Sequence, residues 1–455
     1  MRLGGKAGVR WHATGPNYSK GGFTVKKSKY TLVFKRADGS FLLYNTATAA
    51  LASVAEDLEV ILADGDEDEV RALIEEDFVV PSDAEDSRIR DSFLEDVYFG
   101  RNSLSTTILT TYDCNFACPY CFQESMHSST AMSTDTALLV AEWVERAATE
   151  LRPEHFFMCL TGGEPLVKLD TCCYLADRFR TFFDKVSVPQ SFSMVTNGWL
   201  LSPSVLDDLR RLGIKRYLID VDGPKEHHDT YRILRSGEPT FDKIMDNAEN
   251  VVQHDDTTLI MKVGLTQANA PQLESFLDEL TSRGFRRENF IVAPAVISNN
   301  LATTCFGQIK LPQLDVLVDL CKAKGYRTRE TLRVPGPCFA KLGTSYVLGP
   351  EGAVYHCPIL VNSRKWAIGT IPEMPIPKYN KTNAPRLSEQ CMNCELLPTC
   401  LGGCLYHAEL EGPPEATCSR SRLISEIERA LLSCHPSILA DDEESRDVAS
   451  SHMGR

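Results

Sequence analysis

From about residue 104 to residue 330 the chain alternates a short β-rich run with a longer amphipathic stretch, six times in succession. No other feature limits the fold as much, because strands separated by helices pair in parallel, and a parallel sheet must be covered by those helices. Strands are expected over 105–111, 156–160, 191–195, 216–220, 258–264 and 290–293. The helices that follow are expected over 134–151, 170–185, 203–212, 241–253, 271–282 and 312–323. Six such units predict an α/β fold, a partial parallel (β/α)6 barrel, with its working residues on the loops that leave the C-terminal ends of the strands.

At 455 residues the chain exceeds one hydrophobic core, so further domains are expected on either side. Before the barrel, apolar-rich segments at 30–36 and 41–44 flank Ala37-Asp38-Gly39-Ser40, a tight-turn sequence that predicts a β-hairpin. Helical spacing follows over 46–62 and again over 68–76, which makes residues 1–98 a small mixed α+β domain. The polar stretch 82–91 is its expected linker to the barrel, which occupies 99–330. After residue 330 the alternation stops and Gly, Pro and Cys dominate. Residues 331–440 are therefore expected to form a Cys-rich, loop-rich domain held together by bound metal rather than by an apolar core, with a disordered polar tail at 441–455.

A formal net charge of -14 argues against nucleic acid as the main partner, since a duplex binder needs a basic face. The nine Lys and Arg within residues 1–36, and the acidic density over 56–96, read as a solvated tail and a solvated helical face. No apolar run is long enough to span a bilayer and no secretory signal core is present near the start, so no membrane partner and a cytoplasmic location are expected.

Sixteen cysteines in such a chain do not read as a disulfide framework, because the cytosol keeps thiols reduced. Metal or redox chemistry is the default. Cys159, Cys172, Cys173, Cys305, Cys321 and Cys434 stand apart and read as small buried hydrophobes. Cys114, Cys118 and Cys121, by contrast, share the loop leaving the first expected strand. A cuboidal cluster of four irons normally takes four thiolates, so three leave one iron open to another ligand. A zinc site is the competing reading of such spacings.

This Cys-x3-Cys-x2-Cys motif, with Tyr120 inside it, resembles that of the radical SAM superfamily. Other elements resemble the same family. Gly162-Gly163-Glu164-Pro165 follows the second strand, Thr196-Asn197-Gly198 the third, and Asp220-Val221-Asp222-Gly223-Pro224 the fourth, with His228-Asp229-Thr230-Tyr231-Arg232 close behind. The resemblance implies that the three cysteines hold a 4Fe-4S cluster whose open iron chelates S-adenosylmethionine, and that an electron from the cluster releases a 5′-deoxyadenosyl radical. It further implies cofactor contacts from Tyr120, Gly162, Gly163, Glu164, Asn197 and Arg232. The glycines would let backbone approach the ligand, Glu164 would bind the methionine ammonium and Arg232 the methionine carboxylate. Asp220 departs from the family, which usually has Ser there; an acceptor-only carboxylate replaces a hydroxyl, so Asp220 is a candidate for cofactor or substrate binding.

The second array, Cys338, Cys357, Cys391, Cys394, Cys400, Cys404 and Cys418, resembles the SPASM extension of radical SAM enzymes that modify peptides and proteins. By that resemblance Cys391, Cys394, Cys400 and Cys418 close one auxiliary 4Fe-4S cluster and Cys338, Cys357 and Cys404 serve a second that is one ligand short, three clusters in all with the first. An auxiliary cluster gives a substrate radical somewhere to send an electron.

Residues 1–98 resemble the winged-helix-like element that binds the leader of a precursor peptide as an added strand. The function implied is a peptide maturase that abstracts hydrogen from a precursor-peptide residue and forms a thioether or carbon-carbon cross-link, served by a flavodoxin- or ferredoxin-type reductant. The competing readings are a protein oxidase of the anaerobic sulfatase maturase kind and a non-catalytic Fe-S carrier or peptide scaffold. Sulfatase maturases carry an Asp after the cysteine of their Gly-x4-Cys element, where this chain has Pro358. No catalytic side chain is assigned from the sequence.

Overall fold

The computed structural model describes residues 25–100, 103–121, 123, 129–296, 314–329, 334–376, 387–404 and 418–433. Cys305, Cys434 and the tail expected from 441 lie outside them.

After a short strand β1 (Lys26–Lys27), strands β2 (Thr31–Lys35) and β3 (Phe41–Asn45) form the expected antiparallel hairpin. Gly39 turns it at φ 89°, and the Asp38 carboxylate accepts from the Ser40 amide at 3.0 Å. The helical spacing over 46–62 is divided. Strand β4 (Leu51–Val54) adds to β3, and only α1 (Leu58–Asp64) is helical, started by Asp57 accepting from the Glu59 amide at 3.0 Å. Pairing with β3 overrides the local periodicity upstream of that cap. Helix α2 (Glu67–Glu75) forms as the spacing predicts, and β5 (Val79–Val80) returns to pair with β1.

The stretch 82–91 is not a linker but the start of a helix, α3 (Asp83–Phe99). Its polarity misleads because Asp86, buried, accepts from Ser28 Oγ at 2.7 Å and from the Lys29 amide at 3.1 Å. A carboxylate satisfied in this way fastens the helix to the small domain.

The barrel follows as β6 (Ser103–Leu109), α4 (Thr134–Leu151), β7 (His155–Thr161), α5 (Leu169–Lys185), β8 (Gln190–Thr196), α6 (Pro203–Arg211), β9 (Ile214–Val221), α7 (Lys225–Tyr231), α8 (Phe241–Val252), β10 (Thr258–Leu265), α9 (Leu273–Ser282), β11 (Phe290–Val296), α10 (Leu314–Ala323) and β12 (Arg327–Thr328). Strands β6 to β12 lie side by side in chain order, all parallel. Alternate residues of each strand, such as Phe156, Met158 and Leu160 of β7, are buried under the helices. The helices answer with apolar stripes, as with Ala137, Val140, Ala141, Val144, Ala147 and Ala148 of α4. The side chains between, Cys159, Ser193, Asp220 and Lys262 among them, are half-buried and face the inside of the barrel.

The sheet does not stop at residue 330. Strand β13 (Ser345–Leu348) pairs in parallel with β6, and β14 (Ala353–Tyr355) and β15 (Gly369–Thr370) extend the sheet to ten strands. An apolar core is therefore present where the composition suggests none: Leu109, Tyr112, Val347, Ala353, Tyr355 and Val361 are buried together. These runs are three or four residues long and enclosed by Gly and Pro, too short to register as strands in sequence.

Beyond them come α11 (Glu389–Met392), α12 (Leu397–Cys400) and α13 (Arg420–Ser433). Here the N-terminal sheet meets the C-terminal helices. Phe34, Leu42 and Tyr44 of the N-terminal sheet share one core with Leu396, Ile427 and Leu431, and Thr46 Oγ1 donates to the Glu395 carbonyl at 2.7 Å. Among the described residues no helix is long and apolar enough to cross a membrane.

Candidate functional site

Cys114, Cys118 and Cys121 lie on the loop that leaves β6. The loop is clamped on two sides. The Tyr112 amide donates to the Thr130 carbonyl at 2.9 Å, while the Ala117 amide donates to Ile233 and the Arg235 amide to Asn115, at 2.9 and 3.0 Å. Phe116, fully buried between the first two cysteines, anchors it in the barrel core. The three sulfurs lie within electrostatic reach of one another.

The glycine pair after β7 explains the position of this loop. The Gly163 amide donates to Thr111 at 2.9 Å and the Glu164 amide to Asp113 at 2.8 Å. A Cβ at Gly162 would stand 2.4 Å from the Thr111 carbonyl oxygen, and one at Gly163 would stand 2.2 Å from that of Asp113. Only glycine allows that approach. The close contact the sequence assigns to the ligand is thus made with the backbone leading into Cys114.

Glu164 is fully buried and binds the next strand end: Oε1 accepts from Thr196 Oγ1 at 2.8 Å and from the Leu166 amide at 3.0 Å, and Oε2 accepts from the Asn197 amide at 2.7 Å. Asn197 in turn donates through Nδ2 to Asn115 Oδ1 at 2.7 Å, with the same nitrogen 4.0 Å from Cys114 Sγ. Motifs after β6, β7 and β8 are therefore hydrogen-bonded into one rim.

Arg232 closes the rim from the other side. Buried, it donates to Tyr120 Oη at 3.2 Å, and Tyr120 in turn donates to Asp222. Its Nε is buried with no hydrogen-bond partner. A buried guanidinium donor of this kind suits a carboxylate brought by a ligand. Asp220 meets Lys262 Nζ at 3.0 Å, directly across from it on β10. Asp222 stands in a motif the sequence singles out but without an assigned role, and Lys262 escaped sequence reasoning; the one available signal for Lys262 is a single charge in the otherwise apolar run Thr258–Leu265.

Burial pushes the Cys114 thiol up to about 12 and the Cys118 thiol up to about 11. Both stay protonated at neutral pH unless a metal takes the proton's place. Among the described residues no three His, Cys, Asp or Glu side chains converge as ligands of one ion do. Three thiols on one loop, with one iron left for a further ligand, are the donor set that such a cluster would take.

Residues 108–280 match the family model of the radical SAM superfamily. The chain carries a radical SAM domain. Among curated relatives it is similar to the radical SAM cyclopropyl synthase TigE of Paramaledivibacter caminithermalis, 22% identical over 44% of this chain and 49% of that protein. It is also similar to the cysteine-type anaerobic sulfatase-maturating enzyme of Clostridium perfringens, 22% identical over 64% of this chain and 85% of that protein. The chain thus spans about half the length of the cyclopropyl synthase it matches. Among solved structures it shares its fold with anSMEcpe carrying bound AdoMet, at 20% identity and a TM-score of 0.59 over 77% of this chain and 99% of that one. The same fold is seen in anSMEcpe with AdoMet and the Cp18Cys peptide, at 21% identity and a TM-score of 0.55 over 73% and 97%.

In the C-terminal region the electrostatics couple the cysteines in two groups. Cys357 lies within electrostatic reach of Cys338 and Cys404, and Cys400 within reach of Cys391 and Cys418, with Cys394 beside Cys400. Their sequence positions are scattered over 80 residues, from 338 to 418. Cys172 and Cys321 are buried in the barrel core, as small hydrophobes should be, whereas Cys159 is half-buried on the inner face of β7.

The rim of the radical SAM domain carries a pH dependence. Burial pushes Glu164 up to about 7 from its ordinary 4.5, against the bonds from Asn197, Leu166 and Thr196, and pushes Asp222 up to about 6 from 3.8. The native state then binds more protons than the unfolded chain between those values, so stability falls as pH rises through the window and is level above it. Cofactor-free protein is expected to lose about 3 kcal/mol between pH 4.5 and 7 through Glu164 alone. Urea denaturation across that range, with Glu164→Gln as the reference that keeps only the Asp222 part of the slope, measures it; equal slopes in both proteins would contradict the assignment.

Proposed function

We propose that the protein is a radical SAM peptide maturase that takes a hydrogen atom from a residue of a precursor peptide and leaves an intrapeptide thioether or carbon-carbon cross-link. In this reading Cys114, Cys118 and Cys121 hold one 4Fe-4S cluster, with the two C-terminal cysteine sets holding auxiliary clusters. When bound, the first cluster and S-adenosylmethionine supply a 5′-deoxyadenosyl radical, with electrons from a flavodoxin- or ferredoxin-type reductant. Arg232, steadied by Tyr120 and Asp222, presents its free donor to the methionine carboxylate. Glu164 and Asn197 lie on the same rim, joined by the bond from the Asn197 amide to Glu164. Tyr120, Gly162, Gly163 and Asp220 complete the cofactor rim.

The observation that carries the peptide reading is the free edge of the N-terminal sheet. Among the described residues strand β4 pairs only with β3, and it is half-exposed along its length. The Asn45 amide donates to the Ala50 carbonyl at 2.9 Å, and the alternation from there leaves the Leu51 and Ser53 amides facing outward. Such an edge accepts an extended peptide as a further strand. Ser53→Pro removes one outward N–H and is expected to weaken leader-peptide binding about tenfold, read by fluorescence anisotropy, with folding unchanged because an edge strand tolerates proline. Unaltered affinity would move the leader elsewhere.

A second reading, oxidation of a folded protein, has in its favour the match that covers 85% of the sulfatase-maturating relative. Pro358 beside Cys357, where such enzymes place an acid, weighs against it. Mass spectrometry separates the two. A cross-linked peptide loses two hydrogens and does not react with hydrazides, whereas a formylglycine product carries an aldehyde that does.

A further inference from the structure

Lys262 has no part in the function described so far, and its partner Asp220 has only a place on the rim. On β9 Ile219 and Val221, and on β10 Met261 and Val263, are buried under the helices, so Asp220 and Lys262 between them point to the inside of the barrel. The two are register partners, with Lys262 Nζ 3.0 Å from Asp220 Oδ1. This is an ion pair misaligned for a hydrogen bond: Oδ1 is buried and accepts none, and among the described residues the Lys262 ammonium donates none. At 26% and 34% side-chain exposure, Asp220 and Lys262 are both open to the lumen.

The fold also leaves room beside the pair. Two residues beyond Lys262 on the same face of β10 stands Gly264, and the register partners of Lys262 and Gly264 on β11 are Ala293 and Ala295. None carries more than a methyl group. The level is that of the cofactor rim, because Thr196 pairs with Ile219 and so sets Asn197 level with Asp220. The other two carboxylates of the rim are already engaged, Glu164 by three donors and Asp222 by Tyr120.

A carboxylate only accepts and an ammonium only donates, so the pair offers a ligand one acceptor and one donor side by side. An extended peptide residue presents the complement, since its own N–H and C=O point the same way. We propose that Asp220 and Lys262 hold the main chain of the peptide residue under attack, Asp220 accepting from its N–H and Lys262 donating to its C=O. Two charge-assisted bonds fix where the residue's hydrogens lie without reading its side chain. The substrate class at this point is therefore any extended peptide segment, with sequence read elsewhere. The inference rests on the proposed function in taking a peptide as the substrate.

The test is saturation-transfer NMR on the anaerobically reconstituted full-length protein, with acetyl-alanine N-methylamide as the probe and its analogue methylated on the alanine nitrogen as the comparison. Methylation removes the N–H that Asp220 accepts, so wild-type protein is expected to bind the analogue about tenfold more weakly. The double variant Asp220→Leu with Lys262→Met, which leaves no unpaired charge, is expected to bind both probes equally and weakly at an unchanged unfolding temperature. Lys262→Arg, which keeps a donor beside Asp220, is expected to retain the preference. Equal binding of the two probes by wild-type protein, or no transfer to either, overturns the proposal without any variant. A folded double variant that keeps the wild-type preference overturns it as well. Release of 5′-deoxyadenosine by the same wild-type preparation is measured separately: a protein that shows the methylation penalty yet cleaves no S-adenosylmethionine keeps the main-chain site and refutes the maturase reading instead.

Discussion

Replacing Cys114, Cys118 and Cys121 together with Ala is expected to abolish release of 5′-deoxyadenosine from S-adenosylmethionine and to remove about a third of the bound iron. The effect should be all or none, because one loop carries all three thiols and its course is fixed from outside by the glycine pair, the 130 segment and the 233–235 segment. For the same reason the variant should fold. Phe116 keeps the loop anchored, and removing one buried and two half-buried sulfurs leaves the hydrogen bonds among Glu164, Asn197 and Asn115 in place. Anaerobic reconstitution, iron analysis and chromatographic assay of 5′-deoxyadenosine check both parts. Residual cleavage at the wild-type rate would remove this loop from the chemistry, whereas iron loss well beyond a third would mean that the sites do not fill independently.

The second large effect concerns the N-terminal domain. Deleting residues 1–98 is expected to cost the protein iron at the set Cys391, Cys394, Cys400 and Cys418, in addition to any peptide affinity. A domain that only recognised peptide would be dispensable for metal loading. This one is not built that way: Phe34, Leu42 and Tyr44 complete the core that covers Leu396, and Thr46 holds the carbonyl of Glu395, between Cys394 and Cys400. Without them Leu396, Ile427 and Leu431 face water, and large-to-small changes at such positions already cost about 2–5 kcal/mol each. Iron per chain, with auxiliary EPR signals, measures the outcome. A truncated protein with its full complement of iron would show that the shared core is incidental.

Much of the barrel was legible in the sequence. The helix expected over 134–151 is found as Thr134–Leu151, because Ser133 caps it and its apolar residues recur at helical spacing. The strands were legible to within two or three residues for the same kind of reason. What was not legible depended on partners distant in the chain. Residues 51–54 became a strand only by pairing with β3, and α3 was disguised because Asp86, which looks like a solvent residue, is buried against Ser28. The site divides similarly. Motif residues Glu164, Asn197 and Arg232 could be named from sequence, but not that Glu164 binds the strand end carrying Asn197, nor that Tyr120 and Asp222 hold Arg232. Lys262 is a single charge whose meaning comes entirely from Asp220, which the fold sets beside it.

The pairing of β13 with β6 also bears on how the protein is made. Ser105 and Ser345 are neighbours in the sheet but 240 positions apart in the chain. While the polypeptide is being synthesised, the strand that leads into the cysteine loop has an open flank until residue 348 has emerged, and such a flank is a template for association with other chains. Loops of this length close slowly. The first strand of the barrel is therefore among the last to be sealed, and overexpression at reduced temperature, or with chaperones that shield nascent chains, should recover soluble protein that a fast-translating host loses to inclusion bodies.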